Sequence, residues 1–364
     1  MLKQVQHKTR ILIAPLNWGL GHATRCIPII YALIAHHFEP IIASDGASLS
    51  LLRKEFPDLQ CLELPSYNIT YPKNGKHFRL KLLQSSPKMV SAIKTERKAV
   101  VAIVKEYKIG GIISDNRLGI HHKNVPCVFI THQLQVLSGN TTWLSTKLHQ
   151  KIIKRFQECW VPDNLGDINL SGKLGHTHTS GIPLKYIGPL SRFEKKEHLF
   201  KYDVMVLLSG PEPQRTLLEH TLLKEFKTYN GTVLFVKGVI ENEQHISEEK
   251  NVVIYNYMAS SELENAINES RLIVSRSGYT TLMDLTKLGK SAFFIPTPGQ
   301  YEQEYLAERL TKLGLAASSK QHEFTIEKMN EVSNFKGLSA MDYEVNFKKL
   351  FSLFERKGKF TSNT

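Results

Sequence analysis

Residues 19–25, Gly-Leu-Gly-His-Ala-Thr-Arg, place two glycines one residue apart directly before a histidine, with an arginine three residues further on. The run follows Ile11, Leu12, Ile13, Ala14 and Pro15, so it stands where a first β-strand would end. Ligands of open parallel sheets bind beyond the carboxyl ends of the strands. Glycine there lets a substrate approach the backbone, and the following helix start offers N–H groups to an anion. Gly19 and Gly21 are therefore expected to face a ligand. His22 titrates near neutral pH and is the candidate general base, with Asp115, at the end of a later strand, as the reserve carboxylate. Two plainer readings stand beside this one. The first is a tight turn with no ligand. The second is a dinucleotide fingerprint, in which Thr24 stands where the third glycine belongs and Asp45 would be the ribose acid.

A second constellation lies at residues 273–310. A strand over 272–275 runs through Arg276 into Ser277-Gly278, which would cap a helix and expose its first amides. Thr281 and Asp284 are three apart and share a face of that helix. An acid two turns from an anion-binding helix start can accept hydrogen bonds from the hydroxyls of a ribose carrying that anion. After the next strand come Pro298-Gly299-Gln300 and the run Glu302-Gln303-Glu304, placed to meet the same ligand. A dinucleotide reading of the first loop leaves all of this unexplained.

The elements that must hold these loops alternate. Strands are expected at 10–16, 40–44, 60–64, 110–114, 127–131 and 158–162, then at 203–208, 232–237, 252–255, 272–275 and 292–296. Helices are expected at about 23–36, 87–107, 213–227, 260–269, 279–288, 301–313 and 341–357. Short strands alternating with helices indicate parallel sheets covered on both faces. The alternation pauses at 182–202, whose prolines, glycine and charges suit a linker. The chain thus divides into one α/β domain over 1–190, a second over 191–340 and a terminal helix and tail over 341–364. Polar clusters at 114–122 and 131–136 fall at strand ends and could line the cleft between the domains.

With 364 residues, 41% hydrophobic and 22% charged, the profile is globular, and no run approaches the length of a membrane span. Lys3, Lys8 and Arg10 ahead of a short apolar run imitate a secretory signal, but the run leads into Asn17-Trp18-Gly19 without a cleavage site. Cys26, Cys61, Cys127 and Cys159 are widely spaced and read as reduced thiols of a cytoplasmic protein. No Asp-x-Asp pair flanked by apolar residues is present, and His121-His122 and His176-x-His178 lack acidic or cysteine partners, so no metal site is expected. The net charge of +13 points to an anionic partner. No zinc-finger, zipper or RNA-recognition pattern accompanies it, so nucleic acid is not the expected partner. Residues 73–98 carry eight Lys or Arg against one Glu, interleaved with Phe78, Leu80, Leu82 and Leu83. That mixture suits an anionic membrane surface or a lipid diphosphate.

The two constellations together resemble the GT-B fold glycosyltransferases, in particular the MurG-like branch. The glycine loop of that branch ends in Gly-His, as Gly21-His22 does. Its Arg-Ser-Gly-x-x-Thr-x-x-Glu signature is similar to Arg276–Asp284, and its glutamine-bearing helix start to residues 300–304. The resemblance implies two Rossmann-like domains with parallel sheets facing across a cleft, and a UDP-sugar held mainly by the second domain. On the same resemblance Asp284 would bind the ribose, Ser277 and Gly278 the diphosphate, and Gln303 the sugar. Arg276, Thr281, Gln300 and Glu302 fall within these donor-binding motifs. Ser209-Gly210 resembles a second phosphate-facing loop, Arg192 a linker arginine near the diphosphate, and Tyr257-Met258 the stretch near the uracil. The implied activity is inverting, metal- and cofactor-independent transfer of N-acetylglucosamine or a related hexosamine to a lipid-linked or saccharide acceptor of the cell envelope. The implied place is the cytoplasm, at the inner face of the membrane. Asp284 is one methylene shorter than the family's Glu, and Gly-Leu-Gly-His-Ala-Thr-Arg is also similar to the loop of PseG-type UDP-sugar hydrolases. Hydrolysis is therefore the alternative activity, and a non-catalytic basic protein that binds membrane or nucleic acid is the alternative class.

Overall fold

A computed structural model describes residues 8–67, 78–166, 169–177, 179, 181–210, 212–239, 241–338 and 345–355, and only the backbone of 78–89 and 140. The first sheet holds β1 (Arg10–Pro15), β2 (Glu39–Ser44), β3 (Cys61–Glu63), β4 (Ile109–Asp115), β5 (Cys127–Ile130), β6 (Glu158–Val161) and β7 (Leu184–Tyr186). All its pairings are parallel, in the order β3-β2-β1-β4-β5-β6-β7. Around it lie α1 (Gly21–Ala35), α2 (Gly46–Glu55), α3 (Phe78–Glu106) and α4 (Thr142–Ile153). Both faces of β1 are buried. Ile11 and Ile13 enter one apolar cluster while Leu12 and Ala14 enter the other, which is the two-residue alternation of a covered parallel strand.

The second sheet contains β8 (Tyr202–Leu207), β9 (Val233–Val236), β10 (Ile246–Glu249), β11 (Val252–Tyr255), β12 (Ser270–Ser275), β13 (Ser291–Phe294) and β14 (Ala317–Ser318). Its order is β10-β11-β9-β8-β12-β13-β14, parallel except where β10 runs antiparallel to β11. Its helices are α5 (Gln214–Phe226), α6 (Ser260–Asn268), α7 (Tyr279–Leu288) and α8 (Tyr301–Lys312). The last helix, α9 (Phe347–Glu355), returns to the first domain, where Phe351 and Phe354 pack edge-on against Phe38. Gly111 in β4 is needed there, because a Cβ would collide with the Phe354 ring.

One expectation needs correction. Residues 184–186 are the seventh strand of the first sheet, so the interdomain connection is confined to 187–201. The prolines and glycine that marked the stretch as a linker flank a three-residue edge strand, which is too short to show a periodicity. Among the described residues no helix is long and apolar enough to cross a membrane.

Candidate active site

Each sheet reverses its strand order at one point, β1/β4 in the first and β8/β12 in the second. Crevices at such switch points are where doubly wound sheets bind ligands. Both constellations of the sequence fall on them.

At the first switch point β1 ends at Pro15 and α1 begins at Gly21, with no acid in its first turn. His22 and Arg25 are three apart, so both turn to the same side of α1. There they meet Asp115, the last residue of β4. His22 Nδ1 lies 2.8 Å from Asp115 Oδ1, and Arg25 donates through Nε and Nη2 to both oxygens of the same carboxylate. Arg25 Nη2 also lies 2.8 Å from His22 Nδ1, and Nη1 lies 3.3 Å from His132 Nδ1. Burial alone would raise the Asp115 pKa, but Arg25 and then His22 overcome it and hold the group down at about 2. The His22 pKa is lowered by burial first and by Arg25 second, against the pull of Asp115, so the imidazole is neutral near pH 7. Nδ1 is committed to the carboxylate. Nε2 is the nitrogen left to exchange a proton.

Asp115 is fully buried. It cannot touch a substrate and is no general base, which corrects its place as the reserve base. It orients His22 instead. The dinucleotide reading also fails, because Asp45 accepts Arg117 Nη1 at 2.7 Å in a buried network that includes Glu96 and Tyr67.

At the second switch point Ser209 and Gly210 follow β8 in the open, with Gly210 at φ 109°. Gly278 caps α7, whose first turn also lacks an acid, so the helix dipole and its first amides present positive charge to the crevice. Thr281 is partly exposed on that helix. Asp284 is half-buried and accepts Ser191 Oγ at 2.7 Å. Burial raises its pKa to about 6, against the attraction of Arg192 and the Ser191 bond. Arg192 lies over the Phe193 ring and donates Nη1 to Ser260 Oγ at 3.0 Å, while its buried Nε has no hydrogen-bond partner among the described residues. Ser260 Oγ in turn donates to Glu55 Oε2, from α2 of the other domain, at 2.7 Å. Ser191 and Arg192 thus join Asp284 on one side of the cleft.

Several expected donor ligands are otherwise engaged. Arg276 is fully buried and donates to the carbonyls of Ile295, Pro296 and Gln214 and to Gln321 Oε1, so it ties loops together and does not reach into the crevice. Ser277 Oγ donates to the Gln303 carbonyl at 2.8 Å, which leaves the backbone and not the hydroxyl for a phosphate. Gln303 Oε1 accepts Thr297 N–H at 2.8 Å, so only its amide NH₂ remains for a sugar. Gln300 caps α8, and its carbonyl accepts Glu304 N–H. The Tyr257 amide donates to Asn256 Oδ1 and its carbonyl accepts from the exposed Gln244 side chain. Met258 packs partly into the core. Glu302 does not face the donor crevice; it accepts His132 Nε2 at 2.8 Å and the Gln133 side-chain amide, across the domain boundary.

The two switch points touch. Thr280 Oγ1, in the first turn of α7, donates to the Gly21 carbonyl at 3.0 Å. A Cβ on Gly21 would stand 2.8 Å from that oxygen, so the bare backbone is needed for the contact with the neighbouring domain, a reason that the expectation of a facing ligand did not include. Gly19, at φ 75° with open space around it, is required by conformation alone. The His132 ring stacks on Tyr279 at 3.9 Å, and Tyr279 Oη donates to the Pro162 carbonyl at 3.0 Å. Arg25, His132, Gln133 and Thr280 were not among the expected site residues. The three-residue spacing of His22 and Arg25 was the available signal for the first, and the polar cluster at 131–136 for the next two. Among the described residues no group of three or more His, Cys, Asp or Glu side chains is gathered for a metal ion.

Residues 219–337 match a family model described as the glycosyltransferase family 28 C-terminal domain. The UDP-N-acetylglucosamine–N-acetylmuramyl-(pentapeptide) pyrophosphoryl-undecaprenol N-acetylglucosamine transferase of Buchnera aphidicola subsp. Schizaphis graminum is 26% identical over 236 residues, 62% of this chain and 61% of that protein. The chain therefore spans less than two thirds of the length of that relative. A glycosyltransferase of Methanopyrus kandleri is 20% identical over 354 residues, covering 90% of this chain and 93% of the relative. Among solved structures, MurG of Acinetobacter baumannii superposes with a TM-score of 0.55 at 11% identity, covering 96% of this chain and 99% of the other. The spinosyn rhamnosyltransferase SpnG gives a TM-score of 0.60 at 14% identity, covering 97% and 98%. At these identities the structural likeness speaks for the fold.

Proposed function

Taking as premise that the chain is a MurG-like glycosyltransferase of GT-B fold, we propose that it moves a hexosyl group from a UDP-sugar to a hydroxyl of a cell-envelope acceptor, with inversion. N-acetylglucosamine or a related hexosamine is the proposed sugar, and a lipid-linked saccharide the proposed acceptor. The observation that carries the reading is the 3.0 Å contact between Thr280 and Gly21, because it sets an anion-attracting helix start beside a neutral histidine held by a buried carboxylate.

In the proposed step the acceptor oxygen attacks the anomeric carbon from the face opposite the diphosphate. The bond from that carbon to the UDP oxygen breaks, its electron pair leaves with UDP, and the acceptor proton passes to His22 Nε2. A single displacement inverts the configuration. The first amides of α7 and the Arg192 guanidinium would stabilise the charge that develops on the leaving group. Asp284 would accept the ribose hydroxyls, and Asp115 and Arg25 hold the base in place.

A lipid-linked acceptor is supported by α4, where Trp143, Leu144 and Leu148 are 67, 52 and 56% exposed. Lys147 lies over the Trp143 ring at 4.1 Å, and residues 142–157 contain no acid. An apolar and cationic face of that kind suits an anionic lipid surface. The basic stretch at 73–98 lies partly outside the described residues, over 73–77, and the side chains of 78–89 are likewise not described.

UDP release from UDP-N-acetylglucosamine, measured with and without a lipid-linked saccharide in vesicles, tests the reading. Acceptor-dependent release is expected, reduced about 10²–10⁴-fold by His22→Ala at saturating substrates. Equal release without acceptor would make water the nucleophile and the protein a hydrolase. UDP at a hundredfold excess over its Kd should stabilise the fold by about 2.7 kcal/mol. Absence of both release and thermal stabilisation with every UDP-hexose tried would overturn the proposal.

A further inference from the structure

Glu302 is the second residue of α8 and belongs to the donor-side domain, yet its carboxylate is spent on the other domain. One oxygen accepts His132 Nε2 at 2.8 Å, and the other accepts the Gln133 side-chain amide. An acid in the first turn of a helix is favoured by the dipole. Burial would keep this one protonated, but His132 beside it lowers its pKa, so it is ionised. His132 is almost completely buried and stacks flat on Tyr279, which leaves little room for water to replace Glu302. The hydrogen bonds fix its tautomer. Nε2 donates to Glu302, and Nδ1 accepts Arg25 Nη1 at 3.3 Å. Arg25 then donates to Asp115, and the same carboxylate accepts His22 Nδ1–H. A chain of polar contacts therefore runs from the start of α8 in one domain to the proposed base in the other.

We propose, on the functional reading above, that Glu302 is a positioning residue. When the cleft is closed its carboxylate holds His132 and Gln133, and through the His132–Arg25 contact it fixes the geometry of His22, so that the base is set only when the donor-side helix is in place. Glu302 itself contacts neither sugar nor acceptor in this role.

The test uses the full chain with Glu302→Ala and Glu302→Gln, read by steady-state kinetics, by the UDP-induced thermal shift and by NMR of the ¹⁵N-labelled histidine rings. Expected for Glu302→Ala is a fall in kcat of about tenfold to a hundredfold, with donor KM and the UDP thermal shift unchanged. The protected Nε2–H signal of His132 should disappear in the same variant. The His22 ring signals should move too; the titratable and charged groups around that ring are Arg25 on α1, Asp115 on β4, His132 after β5 and Glu302 on α8. Glu302→Gln can still accept from His132 and, with the Gln133 amide turned over, donate to it, so it should recover most of kcat and the His132 signal. A raised donor KM with unchanged kcat and ring signals would make Glu302 a sugar contact and overturn the proposal. Should the wild-type protein turn over no UDP-hexose, the functional reading fails, and the ring signals alone decide the coupling. Identical His132 and His22 spectra in wild type and both variants would then refute it. If Glu302→Ala does not fold, Glu302→Ser carries the same comparison, with loss of kcat and of the His132 signal expected and identity with wild type in both overturning the proposal.

Discussion

Asp115→Asn is the most demanding perturbation of the site, because the carboxylate is fully buried and takes two bonds from Arg25 and one from His22. Its pKa falls from 3.8 to about 2 in the fold. At 1.36 kcal/mol per unit, that is about 2 kcal/mol of pH-dependent stability. The folded form binds the proton less well than the unfolded chain does. The contribution is therefore complete above about pH 4 and is lost as the pH falls through about 2. The amide should cost more than this, about 3–5 kcal/mol at pH 7, because it leaves the Arg25 charge buried without a counterion and turns an NH₂ toward a donor. For a domain of this size each kcal/mol moves Tm by roughly 2–4 °C, so a fall of about 10 °C is expected. Thermal and urea melts by circular dichroism at pH 7 and pH 3 measure it, and the gap between wild type and variant should narrow at the lower pH. Replacing both partners with apolar residues, Arg25→Met with Asp115→Leu, should restore much of the loss, since no unpaired charge remains. A cost below about 1 kcal/mol for Asp115→Asn at pH 7, or a double variant as unstable as the two singles summed, would refute the account of Arg25 as a cation that depends on this carboxylate.

Gly21→Ala places a Cβ 2.8 Å from Thr280 Oγ1, so the domain contact should open at a cost of about 1–3 kcal/mol and kcat should fall; Thr280→Ala in the same chain should recover most of it, and no recovery would locate the fault elsewhere. Asp284 has a pKa raised to about 6, so its ionisation opposes folding, and stability falls as the pH rises from about 4 through 6. Asp284→Asn should accordingly be more stable than wild type at pH 8 in thermal melts, while the stabilisation by UDP weakens; undiminished stabilisation by UDP would remove Asp284 from the ribose site.

Where the sequence was legible, the controlling chemistry was local. The helix expected over 279–288 is found at those bounds because Gly278 opens it and Gly289, at φ 65°, closes it in the left-handed region. The buried strands on either side of each switch point read clearly because both their faces are covered, which makes them continuous apolar runs. Strands β7, β10 and β14, of three, four and two residues, were not anticipated, and neither were α2 and α4. For α4 the reason is physical: Trp143, Leu144 and Leu148 point outward and break the pattern of a helix that packs its apolar face. Pairings across the cleft were illegible for a different reason. That Glu302 meets His132 depends on residues 170 positions apart and on how two domains close, and no spacing rule reaches that far.

Among the described residues three arginines are fully buried, and they show what a motif can and cannot convey. Arg25 and Arg117 each face carboxylates, and their charges are balanced within the first domain. Arg276 is different. Among the described residues no carboxylate pairs with it, and its partners are three carbonyls and a side-chain amide oxygen. Burial pulls its pKa down to about 9, which still leaves it a cation at pH 7. A charge stabilised only by dipoles keeps much of its field. This one lies directly behind the backbone that turns from β12 into α7, where the helix dipole already favours an anion. The motif position therefore carries electrostatic meaning although the side chain never reaches the crevice. Arg192 is a second cation on the same side, but Asp284 and Glu55 lie close enough to offset part of its charge. The positive potential at the start of α7 thus comes mainly from Arg276 and the α7 amides. The overall charge of +13 is spread over the whole chain and does not by itself create it.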